Sequence, residues 1–179
     1  MARYRIALAA GLLALGGGPF CVRTADAQAA NTPRFAHTST LLPDGSILIV
    51  GGVDGTGTVT PSVQRLASGV ANDAQGLTTA LNGVARASHT ATLLPNGEVL
   101  VTGGMTGGGV VTPLVQIYNP IYNCWHDVDT TGAGHQMSSA RYNHTATLLR
   151  SGPRAGSVLL CGGVNNAGTI LGTCDVFDA

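Results

Sequence analysis

The sequence predicts an all-β fold assembled from one repeated sheet, and three observations carry that expectation. Of 179 residues only 10% are charged, with no lysine and a single glutamate, Glu98. Exposed helix faces draw on Glu and Lys, so this composition excludes helical bundles and coiled coils. The 26 glycines sit among abundant Thr, Val and Ile, which is the composition of strands and tight turns. Most telling, one unit is written three times. Residues 34–52 return as 86–104 with eleven of nineteen positions identical, and a third copy opens at 141–149 and closes at 157–163. The opening arginines Arg34, Arg86 and Arg141 stand 52 and then 55 residues apart. A period of about fifty with strand-like content indicates a propeller rather than a helical array.

Each copy reads as a hairpin followed by further strands. Residues 37–42, 89–94 and 144–149 carry the Thr and Leu of a packed pleated strand. Pro43-Asp44-Gly45 and Pro95-Asn96-Gly97 are turns: proline presets φ, Asp or Asn tolerates the bend, and glycine takes the left-handed position. The returning strands, 47–50 and 99–101, are apolar at consecutive positions, so both sheet faces are expected to be covered. The pairs Gly51-Gly52, Gly103-Gly104 and Gly162-Gly163 end these strands where backbones pass closely. A third strand is expected at 62–66, 114–118 and 173–177, and a fourth at 123–128.

The start of the chain has a different logic. Arg3 and Arg5 precede an uncharged, Ala/Leu/Gly-rich stretch at 6–18, and Ala25 and Ala27 occupy the two positions a signal peptidase reads. This is the layout of a secretory signal peptide over 1–27, cut after Ala27, and the stretch is too short to span a membrane. The expected organisation is therefore a leader, a short segment at 28–33, and repeats at 34–85, 86–140 and 141–179, the last stopping before a fourth strand. A secreted or periplasmic location follows. The cut chain keeps Cys124, Cys161 and Cys174, an odd count that leaves one thiol over. Cys161 fills the slot of Val50 and Thr102, and Cys174 that of Val63 and Val115. Two facing strands thus become cysteine in the same repeat, which points to a Cys161–Cys174 disulfide, with two buried free thiols as the alternative.

The Arg-x-x-His-Thr openings at Arg34, Arg86 and Arg141, the glycine pairs, Tyr118 and Trp125 together resemble the kelch repeat, the blade of a family of β-propellers related to galactose oxidase. The resemblance covers residues 34–179. Repeat one departs from it at Leu66, where tyrosine is expected, and at Asp73, where tryptophan would fall. The resemblance implies a propeller made of about three blades in this chain. It also raises an enzymatic alternative, because secreted copper oxidases of the galactose oxidase and glyoxal oxidase type share the fold. Their site needs two tyrosines, two histidines and a cysteine joined to one tyrosine. Tyr118, Tyr122, Cys124, His126 and His135 lie close in sequence here, but one strand cannot supply a converging ring of ligands.

His37, His89 and His144 invite a metal reading. Residues that recur once per repeat are better explained by local hydrogen bonds, since a structural residue must recur and a site need not. The three arginines are read in the same way, as ties to loop carbonyls. The glycine-rich run at 103–109 has no following lysine or helix for a phosphate cradle, and Asp54-Gly55-Thr56-Gly57 has too few carboxylates for calcium. No catalytic residue, metal or cofactor is expected. Nine arginines balance nine acids with no basic cluster, which excludes a nucleic-acid surface built on phosphate neutralisation.

What varies between repeats is the loop set at 53–60, 105–112, 164–170 and 129–140, and loops on a rigid scaffold are the usual carriers of binding. The expected function is a binding module that contacts protein or glycan through these loops. Three blades fall short of a ring, so the chain is expected either to be part of a larger propeller or to pair with a second copy. Left as a three-blade arc, it would expose two apolar sheet faces to water, with Ile47, Ile49, Val158 and Leu160 expected on one or the other.

Overall fold

A computed structural model describes residues 33–66, 74–77, 84–127 and 136–178, with side chains omitted at 74–77 and at 126–127. The expected leader, the 28–32 segment, Asp73 and His135 lie outside the described residues. The chain enters through β1 (Arg34–Phe35) and forms the hairpin β2 (Thr38–Leu41) and β3 (Ile47–Val50). It then pairs β4 (Val53–Asp54) back onto β1 and completes a four-stranded sheet with β5 (Val63–Leu66) and β6 (Ala74–Leu77). The second sheet is β7 (Thr90–Leu93), β8 (Val99–Thr102), β9 (Val115–Asn119) and β10 (Cys124–Asp127). The third is β11 (Thr145–Leu148), β12 (Val158–Cys161) and β13 (Cys174–Phe177). Every pairing is antiparallel and each sheet follows chain order. The described residues are all-β, and among them no helix is long and apolar enough to cross a membrane.

The turns form as their residues dictate. Gly45 and Gly97 take φ of 82° and 87°. Before them, Asp44 Oδ1 accepts the Ser46 N–H at 3.0 Å, and Asn96 Oδ1 accepts that of Glu98 at 3.0 Å. Hydrogen bonds from the Ser46 hydroxyl and N–H, followed by Arg65, hold the Asp44 carboxyl below the usual carboxylate range.

Two apolar layers join the three sheets. Leu48, Val50 and Val63 of the first sheet pack against Val99, Val101, Tyr118 and Trp125 of the second. On the other side of the second sheet, Leu100, Val115 and Ile117 meet Val158, Leu160 and Phe177 of the third. β8 is buried at all four positions, which is why it is apolar without alternation. β7 lies beside both β2 and β11, so the three leading strands are neighbours. The expectation for Val158 and Leu160 is corrected here: they are 0% and 1% exposed, because their phase in β12 aims them at the second sheet. The outward residue between them is Leu159. Ile47, by contrast, is 38% exposed on the outer face of the first sheet.

The glycine pair sets how closely sheets approach. A Cβ on Gly51 would lie 2.3 Å from the Arg86 carbonyl oxygen, and one on Gly103 would lie 2.4 Å from that of Arg141. The second glycine of each pair donates across the same gap: Gly52 N–H to Arg86 O and Gly104 N–H to Arg141 O, both at 2.9 Å. Only a residue without a side chain lets the main chain of the next sheet sit this close.

Candidate functional site

The arginines that open the repeats are consumed by their own sheets. Arg86, 0% exposed, donates through Nη1 to the carbonyls of Gly103 and Leu114, both at 3.3 Å, and through Nη2 to Gln116 Oε1 at 2.5 Å. Arg141 does the same with Gly162 O at 3.0 Å, Thr173 O at 2.8 Å and Asp175 Oδ2 at 3.0 Å. Arg34 reaches Gly51 O at 3.0 Å and Ser62 O at 3.3 Å. A planar fork fits two carbonyls that diverge where a hairpin pair ends.

The histidines span the junctions instead. His89 Nε2 meets Thr38 Oγ1 of the first sheet at 2.9 Å, and His144 Nε2 meets Thr90 Oγ1 at 3.1 Å and Thr102 Oγ1 at 2.9 Å of the second. Burial, reinforced by Arg86, lowers His89 to about 3, and burial with Arg141 lowers His144 to about 4. His37, at the same position in the first sheet, is exposed. Each histidine thus serves a separate gap, and among the described residues no cluster of three His, Cys, Asp or Glu is placed to hold a metal.

Of the copper-oxidase candidates, Tyr118, Tyr122 and Cys124 are described with their side chains, and their settings differ. Tyr118 is 0% exposed, packs on Trp125 with ring centroids 5.2 Å apart, and donates its hydroxyl to Asn123 Oδ1 at 2.9 Å. Burial pushes its phenol up to about 12. Tyr122 is 63% exposed. Cys124 is disulfide-bonded. Its partner lies outside the described residues. The side chain of His126 and all of His135 lie outside them too.

Cys161 and Cys174 form a disulfide between β12 and β13, where they are register partners with Cα atoms 4.2 Å apart. Arg141 clamps the adjacent carbonyls of Gly162 and Thr173, so the third sheet is tied twice at this end. The bridge closes a loop of sequence separation 13, a constraint worth about 3 kcal/mol. Cys161→Ser with Cys174→Ser is therefore expected to lower the unfolding free energy from urea titration by about that amount, with the midpoint falling accordingly. An unchanged midpoint would mean Arg141 alone secures the loop.

The variable loops share a built frame. Asp54 N–H donates to Thr58 O at 2.9 Å, Thr106 N–H to Val110 O at 2.8 Å and Asn165 N–H to Thr169 O at 3.1 Å. Asp54 Oδ1 accepts the N–H groups of Thr56 and Thr58 at 2.9 and 3.0 Å, and hydrogen bonds from those two residues lower its carboxyl. Asn165 Oδ1 accepts Ala167 N–H at 2.9 Å and Thr169 N–H at 3.0 Å. One loop also grips the next: Asn166 Oδ1 accepts Val111 N–H at 2.6 Å while its Nδ2 donates to Val111 O at 3.2 Å. The tips remain open, with Val110 57% and Ile170 82% exposed.

At the opposite end, a cavity of about 560 Å³ lies between the turns of the first and second sheets, lined by Pro43, Asp44, Arg65, Glu98, Asn119 and Ile121. Sequence reasoning passed over Arg65. Its signal was an arginine in the slot that Ile117 and Val176 occupy in the other repeats. Arg65 pairs with Asp44, donates to Ser46 Oγ at 2.8 Å, and crosses the gap to Pro120 O at 3.2 Å. These contacts bind the two sheets at their turn ends. No protein-family model matches the chain, and no curated protein matches it.

Proposed function

We propose that the chain is a segment of a kelch-type propeller, exported through its leader, and that it works as a binding module contacting a protein or a glycan. The contact surface is the loop set at 53–60, 105–112 and 164–170. The observation that carries this reading is the Asn166–Val111 clamp between loops that are already locked internally. Loops ordered before contact spare a ligand most of the cost of ordering them, and a rigid frame with differing tips is how such surfaces gain selectivity. Val110 and Ile170 give exposed apolar anchors on two of these loops.

The test is a screen of the purified chain on arrayed glycans and extracellular proteins, repeated with Val110→Asp and Ile170→Asp. Either substitution is expected to weaken binding by about tenfold or more, equivalent to about 1.4 kcal/mol. Asn96→Ala at the far end is expected to leave it unchanged. Binding that follows Asn96 and ignores the tips would move the site to the turn-end cavity. Export is checked separately: the N-terminal residue of the secreted protein is expected to be Gln28.

A further inference from the structure

We propose that the groove between the turn ends of the first and second sheets is a binding site for a neutral saccharide, holding one or two sugar rings between Asp44, Asn96 and Asn119. It is a second site, at the end of the molecule away from the variable loops, and does not depend on what those loops contact.

The groove departs from the repeat at the residues that build it. Asp44, Arg65 and Glu98 border it, in a chain where only 10% of residues are charged. Each stands where another copy of the unit is uncharged: Asp44 against Asn96, Arg65 against Ile117 and Val176, and Glu98 against Ser46 and Ser157. A residue that every sheet needs recurs in every sheet, whereas a ligand site is built once. The contacts among these residues fix their side chains rather than fill the space. Glu98 Oε2 accepts from Asn96 Nδ2 at 2.9 Å and Oε1 from Asn119 Nδ2 at 2.8 Å, so one carboxylate orients two amides from different turns. Asn119 Oδ1 accepts the N–H groups of Ile121 and Tyr122 at 3.0 and 3.1 Å. Asp44 is held by Ser46 through Oδ1 and by Arg65 through Oδ2. A space of about 560 Å³ stays open between them, within the range of small-molecule pockets.

The chemistry of the walls selects the ligand. The amide nitrogens of Asn96 and Asn119 each carry a second N–H beyond the one given to Glu98. Asp44, its side chain 51% exposed, keeps acceptor capacity at Oδ2 beside Arg65. Fixed donors next to a fixed anionic acceptor suit hydroxyl groups, which donate and accept at once. The rings of Pro43 and Pro120 and the 78%-exposed side chain of Ile121 supply apolar surface for the C–H faces of a sugar ring. Ions fit poorly. Asp44 and Glu98 repel an anion. Arg65 spends Nε on Ser46, Nη1 on the Pro120 carbonyl and Nη2 on Asp44, which leaves neither edge of its fork whole for a carboxylate or phosphate. The same guanidinium repels an ammonium group. Because the walls are set before contact, little ordering cost falls on binding.

Titration of the full chain with neutral hexoses and their disaccharides, followed by amide shifts in nuclear magnetic resonance, tests this. At least one sugar is expected to bind saturably, moving the amides of 44–46, 96–98 and 119–121 and leaving those of 53–60, 105–112 and 164–170 in place. Ile121→Asp, at an exposed position, and Asp44→Asn, which keeps the shape of the side chain, are each expected to weaken binding about tenfold or more. Ile121→Asp is also expected to leave the urea midpoint unchanged, which separates lost binding from lost folding. Arg150→Gln, on the exposed turn of the third sheet, is the control and is expected to bind as the wild type does. No saturable binding by any sugar of the set would overturn the proposal. So would sugar binding that Ile121→Asp leaves intact, or that moves the loop amides instead of those at the groove. Inorganic phosphate or an alkyl amine shifting the groove amides more strongly than any sugar would overturn it too.

Discussion

Gly103→Ala is expected to cost on the order of 2–5 kcal/mol, enough at the upper end to unfold a marginal domain. Two effects add. The residue sits at φ +61°, where an L side chain costs about 1–2 kcal/mol. Its Cβ would also lie 2.4 Å from the Arg141 carbonyl oxygen and 2.8 Å from His144 Cε1, and overpacking of this kind costs typically about 1–3 kcal/mol. Backbone cannot step aside as a flexible side-chain end can, so the second and third sheets must part. Gly57→Ala is the control. It has φ +83° with nothing within 4 Å, so only the strain of about 1–2 kcal/mol applies. Urea midpoints of the two variants measure the difference directly, and equal losses would show that the glycine pair answers to conformation rather than to contact.

Acid is expected to open the same junctions. His89 and His144 are held neutral in the folded chain, at about 3 and about 4, against 6.5 for a free histidine. Below pH 6.5 the unfolded chain takes up protons that the folded chain refuses, so stability is complete above that value and drains as pH falls toward 4. At about 1.36 kcal/mol per pH unit, each histidine forfeits on the order of 3 kcal/mol by pH 4. Asp44 and Asp54 add to the loss only lower, because their carboxyls are already depressed from 3.8. Urea titrations from pH 8 to 4 are expected to show a flat midpoint that bends downward near 6.5. His144→Gln, which keeps a hydrogen-bonding group toward Thr90 and Thr102, is expected to remove part of the bend. A midpoint that ignores pH across this range would mean the rings take up protons without disturbing the junction.

The sheets were legible in the sequence where residue type fixes backbone geometry. Pro-Asp-Gly and Pro-Asn-Gly leave little choice but a tight turn, and the unbroken apolar run at 99–101 requires cover on both faces, which β8 has. The outward set was harder to read. Consecutive apolar residues in 158–160 do not say which phase meets which neighbour, and Val158 and Leu160 turned inward while Leu159 did not. Hidden altogether were Ala36, Ser88 and Asn143, which share a left-handed φ of 52–55°. Three different residue types occupy that position, and only asparagine commonly adopts the conformation. The loop face was readable as variable sequence, but the Asn166 clamp was not, since it joins residues 55 apart.

Those three left-handed residues form a backbone relay, Ala36 O to Ser88 N–H and Ser88 O to Asn143 N–H. With the glycine and arginine main-chain groups, they let each sheet recognise the next through main-chain atoms that every residue but proline possesses. Exchange of side chains at 36, 88 or 143 therefore leaves these hydrogen bonds available while the glycines stay fixed, and a duplicated stretch of coding sequence for 86–140 would yield a sheet already compatible with both of its neighbours. The array can lengthen by copying before any of its copies needs to specialise.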